Sequence, residues 1–266
     1  MLYFVSTPIG NLKDISLRAI EVLKEVDVIF CEDTRHSIKL LDCYSIKKPL
    51  ISYHKYNEKE RLQDILSLVN EGKNVAIISD AGTPVISDPG NLLTAFLHEN
   101  GVKYTVIPGA TAFVSALILS GFSADKFTFI GFLPEKLKEK DELINSFIDL
   151  NSTLIFYSAP HDINKDISYL YSKLGSRNVA VVKEITKIHE TVYRSNLKDL
   201  TIENPKGEFV IVVEGNVNKN KEFILSEEEH INLYISRGLS KKEAIKIVAK
   251  ERGVNKNSLY KYTKND

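Results

Sequence analysis

Two short runs hold the residue types that can carry chemistry. Glu32-Asp33-Thr34-Arg35 puts two carboxylates and a guanidinium within four positions, and Ser79 to Gly90 reads Ser-Asp-Ala-Gly-Thr-Pro-Val-Ile-Ser-Asp-Pro-Gly. A carboxylate can accept a proton or orient a hydroxyl, and an arginine can grip a phosphate through two parallel hydrogen bonds. The second run offers something else. Around Asp80, the small residues Ala81, Gly82 and Thr83 let backbone groups approach a ligand, and Pro84 stiffens the bend. Each run also has an ordinary reading. The first fits a capped helix start with a local ion pair, and the aspartates of the second fit caps on a helix that begins near Leu92.

The elements around these runs favour chemistry. Both follow apolar stretches, Val26 to Cys31 and Val75 to Ile78. Two more loops of small residues follow Leu2 to Val5 and Tyr104 to Ile107: Ser6-Thr7-Pro8-Ile9-Gly10-Asn11-Leu12 and Pro108-Gly109-Ala110-Thr111-Ala112. Between the apolar stretches, together with a fifth at Leu50 to Tyr53, lie amphipathic segments at Ser16 to Glu25, Ser37 to Tyr44, Glu58 to Asn70 and Leu92 to Asn100, and Ala112 to Ser120 follows the last stretch. Gly72, Gly101 and Gly121 stand where helix C-caps belong. The strands are continuous apolar runs rather than alternating ones, as buried parallel strands require. In a parallel sheet all four loops converge on one edge, the carboxyl edge at which open α/β sheets gather ligands.

The class of ligand is partly bounded. Neither a Gly-x-x-x-x-Gly-Lys-Ser/Thr cradle nor a Gly-x-Gly-x-x-Gly turn after the first strand is present, so nucleoside triphosphates and dinucleotides lose support. A neutral-to-acidic pocket around Asp80 suits a ligand with positive charge. S-adenosylmethionine is one such ligand, although the loops alone do not single it out. Cys31 and Cys43 are the only cysteines and lack metal-ligand spacing, so no metal site and no disulfide framework is expected, and a reducing cytoplasm fits. Cys31 ends an apolar strand and reads as a small core residue rather than a nucleophile.

With 266 residues and 43% hydrophobic content, the chain can bury a sizeable core in two α/β domains. The expected boundaries are 1–121 for the domain carrying the four loops and 122–216 for a second. The second has strands at Phe127 to Phe132, Thr153 to Tyr157, Val179 to Val182, Ile188 to Tyr193 and Phe209 to Val213, and helices around Glu139 to Leu150 and Ile163 to Leu174. Several of these strands follow one another without a helix, so that sheet is expected to be mixed. Asn216 to Lys221 reads as a polar linker, and 222–266 as a small helical module. No run is long and apolar enough for a membrane helix, and no membrane partner is expected. Net charge is zero, but from Arg237 onward nine basic residues face three acidic ones, a surplus of six. A basic tail on an acidic body suits phosphate, as it also suits a solvated helical face.

Taken together, Thr7 to Leu12, Glu32 to Arg35, Ser79 to Gly90, Pro108-Gly109 and Gly131-Phe132-Leu133-Pro134 resemble the ribosomal RNA small-subunit methyltransferase I family of the tetrapyrrole methylase superfamily. Lys183 to Lys187, Lys206-Gly207-Glu208 and Val213-Glu214-Gly215 extend the resemblance, as does the tail from Leu239 to Tyr262. It implies two α/β domains with a cofactor cleft between them, a C-terminal helical module, and 2′-O-methylation of a cytidine in 16S ribosomal RNA of the small subunit. S-adenosylmethionine is then the cofactor, held by Pro8, Ile9, Gly10, Asp80, Ala81, Gly82, Thr83, Pro84, Pro108, Gly109, Ala110, Thr111 and Ala112, with no metal. Glu32, Asp33 and Arg35 become the substrate-side residues, with the choice of base between Glu32 and Asp33 open, and a homodimer is compatible. The chain departs from the family pattern at Asp162, where an arginine is common, and at Ser195-Asn196. Rival readings are a related methyltransferase acting on a small molecule or a protein, and a non-catalytic RNA-binding protein. The convergent loops oppose the second and the basic tail opposes the first.

Overall fold

A computed structural model describes residues 1–216, 225–252 and 254–263. The chain divides into two compact units, Met1–Gly215 and Asn216–Asp266. In the first unit, β1 (Leu2–Val5), β2 (Val28–Cys31), β3 (Leu50–Ser52), β4 (Val75–Ile78) and β5 (Tyr104–Ile107) form a wholly parallel sheet in the order β3-β2-β4-β1-β5. The helices α1 (Leu17–Glu25), α2 (Thr34–Cys43), α3 (Glu58–Asn70) and α4 (Asn91–Glu99) connect the strands, and α5 (Ala112–Ser120) follows the last. Every residue of β2 and β4 is buried, because both sheet faces are covered. One face packs Ile29, Ala76 and Ile78 with Leu23 of α1 and Leu41 of α2, and the other packs Phe30 and Ile77 with Ile65 of α3 and Leu93 and Leu97 of α4.

The second sheet is mixed, as its helix-poor sequence led us to expect. β6 (Phe127–Phe132), β7 (Thr153–Ser158), β8 (Asn178–Lys183), β9 (Thr191–Asn196) and β10 (Phe209–Val213) run in the order β6-β7-β10-β8-β9. Only the β6–β7 pair is parallel. The helix α6 (Leu137–Asn145) precedes β7 and α7 (Ile163–Leu174) follows it. One face buries Phe156, Val181 and Ile211 against Ile167 and Leu170 of α7. The other face packs on α5, through Ala116 and Leu117 against Ile155, Ala180, Val182 and Val212. So α5, which leaves the first sheet, spends its apolar side chains on the second and ties the two sheets into one unit. Arg194 on β9 secures this joint, its Nε donating to the Ser120 carbonyl at 3.4 Å and its Nη2 to the Leu119 carbonyl at the end of α5.

Three expected elements are shifted. The helix α2 starts at Thr34 rather than Ser37, because the Asp33 side chain accepts the Arg35 N–H and caps it. The helix expected to run to Leu150 stops at Asn145. The strand expected at Ile188 to Tyr193 begins only at Thr191, because residues 184–190 form a turn in which the Glu190 carboxylate accepts the Thr186 N–H at 2.7 Å and Ile188 points into solvent.

The second unit contains α8 (Glu227–Ser236), α9 (Lys241–Arg252) and α10 (Lys256–Leu259). Ser226 and Glu229 form a capping box at the start of α8. Ser240 and Glu243 do the same for α9: the Glu243 carboxylate accepts the Ser240 N–H at 3.1 Å, and Ser240 Oγ accepts the Glu243 N–H at 3.4 Å. Ala244, Ile245, Val248 and Ala249 form the buried face of α9 and pack with Ile231 and Leu259. The expected polar linker beyond Asn216 lies outside the described residues, as does Gly253. Among the described residues no helix is long and apolar enough to cross a membrane.

A core this small has little to spare. Ile245→Ala should cost about 2–5 kcal/mol, comparable to all that a module of this size can muster. Amides of α8 and α9 should then exchange with solvent freely while those of β1 and β4 stay protected. Equal loss of protection in both places would mean that the two units unfold together.

Candidate active site

At the carboxyl edge of the parallel sheet the four loops are stitched to one another. Thr7 and Gly82 form an isolated antiparallel bridge, with the Thr7 N–H donating to the Gly82 carbonyl at 2.9 Å and the Gly82 N–H returning to Thr7 at 3.1 Å. A line of hydroxyls continues the contact: Ser6 Oγ lies 3.0 Å from Thr83 Oγ1, which lies 3.0 Å from Thr111 Oγ1. The β1, β4 and β5 loops are thereby joined. Gly109 permits the closeness, since a Cβ there would stand 2.8 Å from the Ser6 Cβ. The β2 loop is tied in by the Asp33 N–H, which donates to Asp80 Oδ1 at 3.2 Å.

Above this platform lies a cavity of about 330 Å³, within the range of small-molecule sites. Ile9, Ala81, Gly82, Thr83, Thr111 and Ala112 supply its side toward the first sheet. Phe132, Tyr157, Ser158 and Pro160 supply much of the side toward the second, with Ile185 and Glu208. Of the thirteen residues expected to hold a cofactor, those six line this cavity, and Pro8, Gly10 and Asp80 line a second one beside it together with Ile9 and Ala81. Pro84, Pro108, Gly109 and Ala110 line neither; Ala110 and Gly109 act instead in the stitching, the former through its carbonyl 3.5 Å from Thr83 Oγ1.

The charged turn separates into two kinds of carboxylate. Asp33 caps α2, and its carboxylate takes both Nε and Nη2 of Arg35, at 3.1 and 2.8 Å. The Arg35 hydrogen bonds hold its pKa down to about 2. Arg35 itself is exposed. Glu32 differs: burial raises its pKa, the nearby Asp80 charge raises it further, and His54 offsets this in part. Asp88, which the sequence offered only as a helix cap, lines the cavity, and its pKa is pushed up to about 6 by burial and by the charges of Glu32 and Asp80, against a hydrogen bond from Ser79. Its position in Ser-Asp-Pro-Gly, a loop end next to a second carboxylate-bearing turn, was the available signal. Burial likewise raises Cys31, which sits inside the core. His161 is exposed and paired with Asp162 at 3.1 Å at the start of α7, so it lines no wall of the cavity. No cluster of histidine, cysteine and carboxylate side chains suited to a metal occurs among the described residues.

A model of the Tetrapyrrole (Corrin/Porphyrin) Methylases matches residues 1–201. The chain belongs to the tetrapyrrole methylase family. Curated relatives named "Ribosomal RNA small subunit methyltransferase I" share much of its sequence. The one from Halalkalibacterium halodurans is 41% identical over 97% of this chain and 93% of its own length. That from Bacillus subtilis is 40% identical over 98% and 92%, and that from Thermotoga maritima 41% identical over 80% and 98%. Solved tetrapyrrole methylases share the fold. Uroporphyrin-III-C-methyltransferase from Thermus thermophilus superposes with a TM-score of 0.57 at 20% identity, covering 80% of this chain and 93% of that one. The methyltransferase CobJ does so with a TM-score of 0.63 at 18% identity, over 81% and 94%.

The strained carboxylate predicts a pH signature. The folded chain holds the Asp88 proton more tightly than an unfolded chain, whose ordinary value is 3.8. Its contribution to stability is therefore complete below pH 4 and is lost as pH rises through about 6. Asp88→Asn should remove that loss, raising Tm at pH 7.5 by about 2–4 °C for each kcal/mol of relieved burial cost and repulsion and leaving Tm at pH 4 unchanged. Thermal melts across this range check it, and a uniform shift at all pH values would contradict it.

Proposed function

We propose that this protein methylates the 2′-hydroxyl of a cytidine in 16S ribosomal RNA of the small subunit, with S-adenosylmethionine as donor. The observation that carries the reading is the Asp33–Asp80 hydrogen bond, because it makes the charged turn and the small-residue platform one rigid edge. The names of the relatives supply the RNA class, at about 40% identity over nearly the whole chain.

The platform fits such a donor. Its lining is mainly apolar, with Ile9, Phe132 and Tyr157 available to an adenine-like ring, and Asp88 brings a carboxylate to a cationic ligand. Bound S-adenosylmethionine supplies an electrophilic methyl group on a sulfonium centre. The residues of this chain have two remaining tasks, to align the acceptor oxygen and to help remove its proton. Glu32 is the carboxylate for the second task. Its raised pKa marks it as a better proton acceptor than Asp33, which is committed to Arg35 and to the α2 cap. Arg35 offers its guanidinium at the exposed rim for a phosphate, exchanging one carboxylate partner for another anion.

The helical module fits the same acceptor. Lys242, Lys246 and Lys250 are exposed and four residues apart on α9, beside its buried face. Such a stripe meets a phosphate backbone without reading sequence.

Glu32→Gln should lower methyl transfer to small ribosomal subunits by about 10²–10⁴-fold and leave donor affinity unchanged, and Arg35→Ala should lose transfer while keeping its melting temperature. Calorimetry with S-adenosylmethionine, radiolabel transfer and thermal melts read out the two variants. Normal turnover in Glu32→Gln would remove it from the chemistry, and a wild-type protein that methylates only small molecules or proteins would overturn the whole reading. Replacing Lys242, Lys246 and Lys250 together by alanine should weaken binding to the subunit and reduce the slope of log affinity against log salt by about two. An unchanged slope would assign the stripe to solvent.

A further inference from the structure

The loop after β3 is the fifth at the carboxyl edge, and no residue of it lines either cavity. It leaves the sheet beside the charged turn. β2 and β3 pair in parallel with Cys31 opposite Ser52, and the Tyr53 N–H donates to the Cys31 carbonyl at 2.8 Å, so the pairing continues past the end of β3. Glu32 and His54 therefore emerge from neighbouring strand ends, close enough for the His54 charge to act on Glu32.

This loop is fastened along its length. The His54 N–H donates to Asn57 Oδ1 at 2.8 Å, Asn57 Nδ2 donates to the Ser52 carbonyl at 3.0 Å, and the Asn57 and Glu58 N–H groups each donate to the His54 carbonyl at 3.0 Å. Below them the Tyr53 hydroxyl donates to Glu58 Oε1 at 2.7 Å, and both residues are buried. Out of this frame projects Tyr56, which is 92% exposed. The His54 ring meets it edge-on, with centroids 6.0 Å apart and planes at 68°. One side of the phenol is braced and the rest is open. A ring in that position contributes almost no buried area to the fold, whereas it can receive a flat partner without any cost of ordering the chain that carries it.

The charges around the ring select the partner. Lys55 precedes Tyr56, and Lys59 follows three positions on, in the first turn of α3; both are exposed and neither has an ion-pair partner among the described residues. Glu58 between them is buried on Tyr53, and the exposed Glu60 lies roughly 100° farther round the helix than Lys59. An open aromatic face between two free ammonium groups fits a nucleobase between two phosphates. We propose that Tyr56 is a stacking platform for an unpaired RNA base next to the methylated nucleotide, with Lys55 and Lys59 taking the phosphates on its two sides. This contact rests on the RNA methyltransferase reading above and extends it from the methylated nucleotide to its neighbour in the strand. Tyr56 touches the RNA away from the reacting atoms, so it is a positioning residue.

Four substitutions at Tyr56 separate stacking from bulk. With small ribosomal subunits as acceptor, Tyr56→Ala and Tyr56→Leu should lower kcat/KM by about 10–100-fold, the worth of one base on an aromatic ring, and Tyr56→Phe and Tyr56→Trp should stay close to the wild type. The slope of log subunit affinity against log salt should be unchanged in Tyr56→Ala, because stacking releases no counterions, and should fall by about one to two when Lys55 and Lys59 are both replaced by alanine. Melting temperature and affinity for S-adenosylhomocysteine, read by calorimetry, should match the wild type throughout. Wild-type kcat/KM in Tyr56→Ala overturns the platform while leaving the methyltransferase reading intact. Full activity in Tyr56→Leu overturns the base as partner, since an apolar contact would then suffice. Loss of melting temperature or of S-adenosylhomocysteine affinity in proportion to activity overturns the platform too, by assigning Tyr56 to the fold or to the donor side. A wild-type protein that transfers no methyl to RNA overturns both readings.

Discussion

The site depends on a two-bond backbone bridge between Thr7 and Gly82. Strands of a parallel sheet end without a partner for their outgoing loops, so each loop must find its own hydrogen bonds or leave buried polar groups unpaired. Here the loops satisfy one another. Ser6, Thr7 and Ser79 are almost completely buried, and their hydroxyls reach Thr83, Gly82 or the Ser79 carbonyl rather than water. An unpaired buried hydroxyl would cost about 1–3 kcal/mol, so the loops are stable in this arrangement and costly to separate. A platform held in this way needs no ligand to organise it.

Charge is then added to a platform already rigid. Glu32, Asp80 and Asp88 come from two loops whose spacing the backbone has set, and their mutual repulsion is a cost that the sheet edge bears. Glu184 and Glu208 by contrast share the single ammonium of Lys187 in an ion-pair cluster. Burial works against the Lys187 charge, but its two carboxylate partners prevail and raise its pKa. The same edge thus carries carboxylates that lack a cation within salt-bridge distance among the described residues and, a few residues away, carboxylates that share one.

Much of this was legible in the chain. Apolar runs at Leu2, Val75, Tyr104 and Phe209 mark strands whose ends match the structure, because each run is continuous and bounded by turn residues. The loops were recognisable from their glycines and prolines. What the sequence hid has a common cause, namely side chains that act on segments distant in the chain. The fork that Asp33 makes with Arg35 while it caps α2 gives its carboxylate a second partner that the turn alone did not specify. Arg194 drew no structural role from the sequence, whereas it closes the end of α5. Asp88 acquires its character from burial and then from Glu32, fifty-six positions earlier, and Ile188 read as strand until the Glu190 carboxylate proved to hold the turn before it.

Gly10 ties two distant segments to a common fate. The side chain it lacks is the space that Lys187 occupies, and the amide after it is capped by Thr186, both more than 170 residues later. Neither the loop nor the turn can therefore acquire a bulkier residue or an altered length on its own. In descent the two must vary as a pair, and a chimera joining the first sheet of one relative to the second sheet of another will inherit a mismatch there before it meets one in either core.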